Sequence, residues 1–289
     1  MEVYAIISAL TTAASWAFVT QLQKRGLQST DARTGAFIVI LSFASLFWIL
    51  APFFLIDRHW FGSWPVVIFA LSGVLVPGLA QQFHMLSVER MGPTATAVIG
   101  SFTPVFAIVP SMIVLRETLN HQGIVGIILM VCGVILTVKA NTTNKPQFAY
   151  RLIWLAFIAA VCRGLSQPLT KTGLIEMPEP FFATLVMVTS AVIFMGICQV
   201  CRDRSTIRFS LGPHTLWLVA SGIILSMGFL ALYMALHFGD VVIVSPFIAT
   251  VPIWVLIFNH FIFKTEQITK LHVTAAWLAT CGAIVLILR

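Results

Sequence analysis

Leu22-Gln23-Lys24-Arg25-Gly26-Leu27 closes an apolar run near the start of the chain, and Leu169-Thr170-Lys171-Thr172-Gly173-Leu174 closes another 147 residues later. The two stretches share Leu, Lys, Gly and Leu at the same spacing. Further matches keep the same order: Pro104 with Pro252 at an offset of 148, then Glu117 with Glu266 and Cys132-Gly133 with Cys281-Gly282 at 149. Each pair alone is weak, because apolar segments match by chance. An ordered set whose offset drifts by only two residues points to an internal duplication, with halves 1–145 and 146–289.

Each half is built of runs long enough to cross a bilayer. About 20 mainly apolar residues span the hydrocarbon core. The sequence supplies ten such runs, at 3–21, 35–56, 65–86, 93–115, 121–138, 152–171, 180–200, 214–236, 240–263 and 270–288. Only short connections remain, with no room for a soluble domain. The runs are continuous, not alternating, which excludes a β-barrel. Composition agrees: 59% of the residues are hydrophobic and 9% charged, against about 25% charged in an ordinary soluble protein. A soluble enzyme, a disordered chain, a nucleic-acid binder and a disulfide scaffold are thereby excluded. The net charge of +7 belongs to loops at headgroup level, not to a nucleic-acid surface. Cys198-x-x-Cys201 has no second Cys or His pair near it, so neither a metal nor another cofactor is expected. Met1-Glu2 lacks the basic start of a cleavable signal, and no Ala-x-Ala site follows the first run.

The expected fold class is an all-α integral membrane protein of ten transmembrane helices, multi-pass in the cell (plasma or inner) membrane. Five spans per half is odd, so the second half crosses in the opposite sense to the first. Two inverted five-helix repeats of this kind form one site at their interface, near the midplane, opened to each side in turn by rocking. This architecture is the main argument for a transporter over an enzyme. Lys and Arg in alternate connections divide four against twelve, with four on the face of the termini. The positive-inside rule then places both termini outside the cytoplasm.

Ten spans, five plus five, with a Glu closing spans 4 and 9, resemble the drug/metabolite transporter superfamily in its EamA-like branch. The residues that carry the resemblance are Leu115-Arg116-Glu117-Thr118-Leu119, Gly123, Gly126 and Gly133 to Leu136 in the first half. Phe263-Lys264-Thr265-Glu266-Gln267-Ile268 and Gly282 to Leu286 carry it in the second. The second copy departs at Thr265, which intrudes before the Glu, and at Val273 and Ala276, where glycines are typical. The resemblance implies an exporter or exchanger of amino acids and other small metabolites. It also implies cytoplasmic termini, opposite to the loop count.

None of the ten carboxylates lies in the middle of a span. Proton-coupled carriers often use a mid-membrane Asp or Glu as a relay, so facilitated diffusion or exchange fits better; His84, His237 and His260 are the remaining groups for such a role. Arg163 is the one charge well inside a span, about 17 Å along span 6 at 1.5 Å per residue. It either meets a substrate anion or bonds backbone carbonyls opened by Pro168. Gln167 and Thr170 follow at i+4 and i+7 and share its face, with Ser166 beside them. Gln81 and His84 near the end of span 3, and Tyr233 in span 8, are further candidates for the cavity wall. The alternatives are helix-to-helix ties for the first two and a headgroup-belt tyrosine for the third. Trp16 aligns with Arg163 at the 147 offset and belongs on the symmetric wall. Pro104 with Pro110, and Pro246 with Pro252, kink spans 4 and 9 as gates or as static bends. Ser101, Thr103 and Ser245 are placed to satisfy the freed carbonyls. Spans 5 and 10, with Gly126, Gly133 and Gly282, read as scaffold or a dimer face. The expected partners are a small-molecule substrate and membrane lipids, with the chain a monomer or homodimer and no nucleic acid involved. The rival readings are a multidrug or hydrophobic-compound exporter, an integral-membrane lipid enzyme and a non-transporting subunit.

Overall fold

The computed structural model describes residues 2–54, 56–116, 125–126, 128–129, 131–133, 135–136, 150–201, 212–264 and 267–285. Among them every regular element is helical, as a backbone without water partners requires. The first half holds α1 (Glu2–Gly26), α2 (Ala32–Leu50), α3 (Trp64–Gly73), α4 (Ala80–Met91), α5 (Pro93–Gly100) and α6 (Thr103–Val114). The second holds α7 (Ile153–Glu176), α8 (Pro180–Val200), α9 (Pro213–Phe238), α10 (Val241–Ile248), α11 (Val251–Phe258) and α12 (Lys270–Val285). Eight described segments are long and apolar enough to cross a membrane. They match the expected spans 1–4 and 6–9. Span 10 is represented by α12, and half of span 5 lies outside the described residues, as do Glu117 and Glu266.

Local chemistry sets the boundaries. Asp31 caps α2 by accepting from Thr34 N at 3.2 Å and from Thr34 Oγ1 at 2.7 Å. Prolines open α5, α8 and α9, where the missing N–H would have had no helical partner. Gly92, at φ 94°, makes the sharp turn from α4 into α5 that an L side chain resists. Large apolar side chains such as Ile113, Val200, Leu216 and Phe261 lie on the outside, facing the hydrocarbon expected there.

The two halves pack by the same rules. Helix α1 lies against α9, and its counterpart α7 lies against α3 and α4; α2 packs on α9 as α8 packs on α3. The close contacts repeat atom for atom. A Cβ on Gly73 would strike the carbonyl of Met187, and one on Gly222 would strike that of Val39. Gly173 lies against the ring of Phe69, and Gly26 against the side chain of Leu218. Every residue in these pairs maps onto the other half at an offset of 147 to 149. Gly133 of span 5 abuts the backbone of Ala275 and Ala279 in α12, the close glycine packing expected of spans 5 and 10.

Among the described residues three spans are not single helices. Span 4 breaks at Ser101-Phe102 and span 9 at Ala249-Thr250, at equivalent places. Pro104 and Pro252 occupy the first turns of the second pieces. The freed carbonyl at the first break is that of Gly100, and Thr103 Oγ1 donates to it at 2.7 Å. Ser101 and Thr250 likewise donate three residues back, to Val98 O and Phe247 O at 2.6 and 2.7 Å, one position apart between the repeats. Ser245 does not take the part expected of it, because its hydroxyl is buried without a partner among the described residues. Pro110 and Pro246 lie inside α6 and α10. Span 3, read as one run, breaks at Val76 (φ −142°, ψ 118°) before Pro77. Its counterpart α9 is continuous through Leu225, so the repeats differ there.

Candidate functional site

The helix breaks surround a central cavity with about 680 Å³ of empty space, its open end included. Its middle is built from equivalent positions of the two halves: Trp16 with Arg163, Val76 with Leu225, Ser101 with Ala249, and Thr103 with Val251. The middle of the cavity is therefore lined by both repeats, as in a site that inverted repeats share. Beyond this middle, only the first half continues the wall. Thr20, Gln23, Gln81 and His84 line it, so the cavity runs toward the ends of α1 and α4. Trp16 to Gln23 is about 10 Å along α1 at 1.5 Å per residue.

Arg163 stands in the middle with its guanidinium carbon 5.4 Å from the centroid of the Trp16 ring. Trp16 in turn packs on Phe229, ring centroids 5.3 Å apart. A guanidinium over an indole face gains cation–π attraction while keeping its N–H fork available. Among the described residues Arg163 makes no ion pair; those present are His59–Asp57 and Arg90–Glu89, at helix ends and connections. Nor does it donate to the carbonyls near Pro168. Among the described residues three further groups on the wall carry donors without partners, Trp16 Nε1, Gln23 Nε2 and Gln81 Nε2, and the acceptor Gln23 Oε1 is without one too. Helices α6 and α11 begin at the cavity, with Thr103 and Val251 at their first positions and on its wall. Helix N-termini carry partial positive charge. Helices α5 and α10 end at the same wall, at Gly100 and Ile248, so the helix dipoles offset and the positive charge of the site is that of Arg163; Phe229, Leu225, Val76 and Ile248 supply its apolar surface. His84 Nε2 lies 3.4 Å from Thr20 Oγ1.

The seven residues singled out for the cavity wall are divided by the structure. Trp16, Arg163, Gln81 and His84 line the cavity. Gln167, Thr170 and Tyr233 do not. Ser72 Oγ lies 2.6 Å from Ser166 Oγ and 2.8 Å from Thr170 Oγ1, and Thr170 Oγ1 donates to Tyr233 OH at 3.4 Å. These hydroxyls tie α3, α7 and α9 together beside the cavity, and Gln167 is buried near them. Among the described residues no cluster of His, Cys, Asp or Glu can hold a metal. His237 and His260 are at helix ends, away from the cavity wall.

Gln23 was missed in the sequence because hydropathy ends the first span at 21, whereas the helix continues to Gly26. The available signal was spacing: Thr20 and Gln23 follow Trp16 at i+4 and i+7, on one helical face. The break at Pro77-Gly78 was also legible as a proline in mid-span, yet no counterpart proline exists in span 8 to draw attention to it.

Inverted repeats, broken helices and a cavity lined by both halves are the architecture of a polytopic carrier. The EamA-like transporter family matches the chain twice, over residues 3–139 and 151–288. The chain belongs to that family, and so to the drug/metabolite transporter superfamily. Solved structures share the fold: one crystal structure, titled only as that of a protein, aligns over 97% of this chain and 95% of its own, at 15% identity and a TM-score of 0.72. No curated protein matches the chain.

Proposed function

We propose that this protein carries small anionic metabolites, foremost amino acids and other carboxylate-bearing compounds, across the cell membrane by alternating access, as an exporter or exchanger. One observation carries the reading: Arg163, against its repeat counterpart Trp16, lines the cavity with an aromatic face behind its guanidinium and no carboxylate beside it among the described residues. A charge held in a low-dielectric site without a counter-ion favours an anion from outside. Arg meets a carboxylate in two parallel bonds and stays charged when buried. A residue in the part of the cavity lined by both repeats also stays within reach from either face as the halves 1–145 and 146–289 rock. The unpaired donors of Gln23 and Gln81 suit an acceptor-rich ligand in the same way.

A second reading rests on the apolar wall of Phe229, Leu225, Val76 and Ile248, which suits export of hydrophobic compounds. Flux into proteoliposomes, over a panel of amino acids, organic acids and cationic dyes, separates the two. Uptake of carboxylates that Arg163→Ala abolishes is the expected result. Transport of dyes alone would replace the first reading with the second.

A further inference from the structure

The cavity wall has two different poles. Arg163 is the cationic one. Gln23 stands about 10 Å from the level of Trp16 along α1, and Val19 and Thr20 fill the wall between them. Gln23 is fully buried, and among the described residues neither its amide nitrogen nor its amide oxygen has a partner. Gln21, two residues earlier and equally buried, shows the ordinary structural use of such a side chain: its Nε2 donates to Val255 O at 3.2 Å and ties α1 to α11.

We infer that Gln23 selects the far end of the substrate, and that the class carried is a carboxylate with a neutral carboxamide or peptide group at its other end. The carboxylate meets Arg163 and the amide meets Gln23. This rests on the anion reading of Arg163 and adds what the substrate carries besides its carboxylate.

Three arguments support it. First, a buried amide left unpaired is costly, and leucine or methionine would fill the position without that cost. An unpaired amide on a cavity wall is therefore suited to a ligand. Second, Gln23 offers an unmet donor and an unmet acceptor side by side. A carboxamide or peptide group presents the complementary pair and closes two parallel bonds. A carboxylate only accepts and an ammonium only donates; a lone hydroxyl has a single oxygen for both bonds. Third, among the described residues no Asp or Glu lines the cavity. No carboxylate is there to pair with a cationic group, so the far end of the substrate is neutral.

The test is equilibrium binding to detergent-solubilised protein. The probes are succinamate, glutaramate and adipamate, each set against the methyl ketone, the dicarboxylate and the ω-amino acid of the same length. The methyl ketone keeps the shape and the acceptor and lacks only the donor. The best carboxamide is expected to bind about tenfold or more tightly than its methyl ketone, since a site built around a hydrogen bond rejects the analogue that leaves it unmade. Gln23→Leu and Gln23→Met should each abolish that difference by weakening the carboxamide and sparing the ketone. Arg163→Ala should weaken both ligands. Gln167, also buried and unpaired among the described residues, is off the cavity wall, so Gln167→Leu should keep the preference. Equal binding of carboxamide and ketone by the native protein, a comparison that needs no variant, would overturn the inference. So would a preference that persists in Gln23→Leu or Gln23→Met. In both cases the anion reading stands as long as carboxylates bind and Arg163→Ala weakens them. Failure of every carboxylate to bind folded protein would remove the anion reading itself, and this inference with it.

Discussion

Lys24 Nζ donates to the carbonyls of Val88 and Glu89 at 3.2 and 3.4 Å, and Lys171 Nζ, its counterpart in the second repeat, donates to those of Leu236 and Gly239 at 2.7 and 2.8 Å. In each half the lysine near the end of the first span holds carbonyls at the C-terminal end of the third, where the negative end of the helix dipole lies; Val88 O also accepts from Gly92 N at 3.1 Å. The inverted architecture puts these two equivalent clasps on opposite faces of the membrane. Lys24→Met and Lys171→Met keep the apolar stem and remove the ammonium. Each is expected to lower stability by about 1–3 kcal/mol, the usual range for losing hydrogen bonds from a charged donor. Thermal unfolding of the purified protein in detergent checks it, and a loss at only one of the two positions would show that the symmetry is not energetic.

The contacts of Gly73 with Met187 and of Gly222 with Val39 give a second matched pair. A methyl group at either position meets backbone oxygen, which cannot rotate away as a side chain does. Gly73→Ala and Gly222→Ala should each cost about 1–3 kcal/mol through overpacking. Gly62→Ala and Gly212→Ala meet nothing within 4 Å and serve as neutral controls in the same unfolding series.

Arg163→Lys keeps the charge but replaces a planar fork by a point charge. If the fork grips a carboxylate, the lysine variant should lose on the order of tenfold in apparent affinity, and Arg163→Ala should lose more. A decarboxylated analogue of the transported compound should bind the native protein weakly and be almost indifferent to the alanine change. Equilibrium binding to detergent-solubilised protein measures all of these, after both variants are shown to insert and elute as the native protein does. Unchanged affinity for every transported compound in Arg163→Ala would remove the anion preference.

With no carboxylate in mid-span, exchange of substrate across vesicle membranes is expected to persist when proton and sodium gradients are collapsed. Strict dependence on a proton gradient would turn attention to His84, which lies on the cavity wall 3.4 Å from Thr20, and not to His237, which does not line the cavity.

Much of this molecule was determined by sequence alone. Apolar runs of bilayer length specify membrane helices because an unpaired backbone in hydrocarbon has no alternative. The ordered matches of Lys24 with Lys171 and of Pro104 with Pro252 specify two repeats, and an odd number of spans inverts the second. Arg163 stood out because a charge in mid-span is costly wherever it faces, and Trp16 could be placed opposite it by the repeat offset. What sequence could not decide was which polar residues share a space at one moment. Gln23 and Thr170 occupy equivalent positions, yet one lines the cavity and the other is sealed among hydroxyls. The repeats encode the two environments almost symmetrically, and only the tilt of the helices against one another chooses between them. That choice is a balance of packing and hydrogen bonds summed over many long-range contacts, a property of the tertiary structure that no local pattern of residues carries.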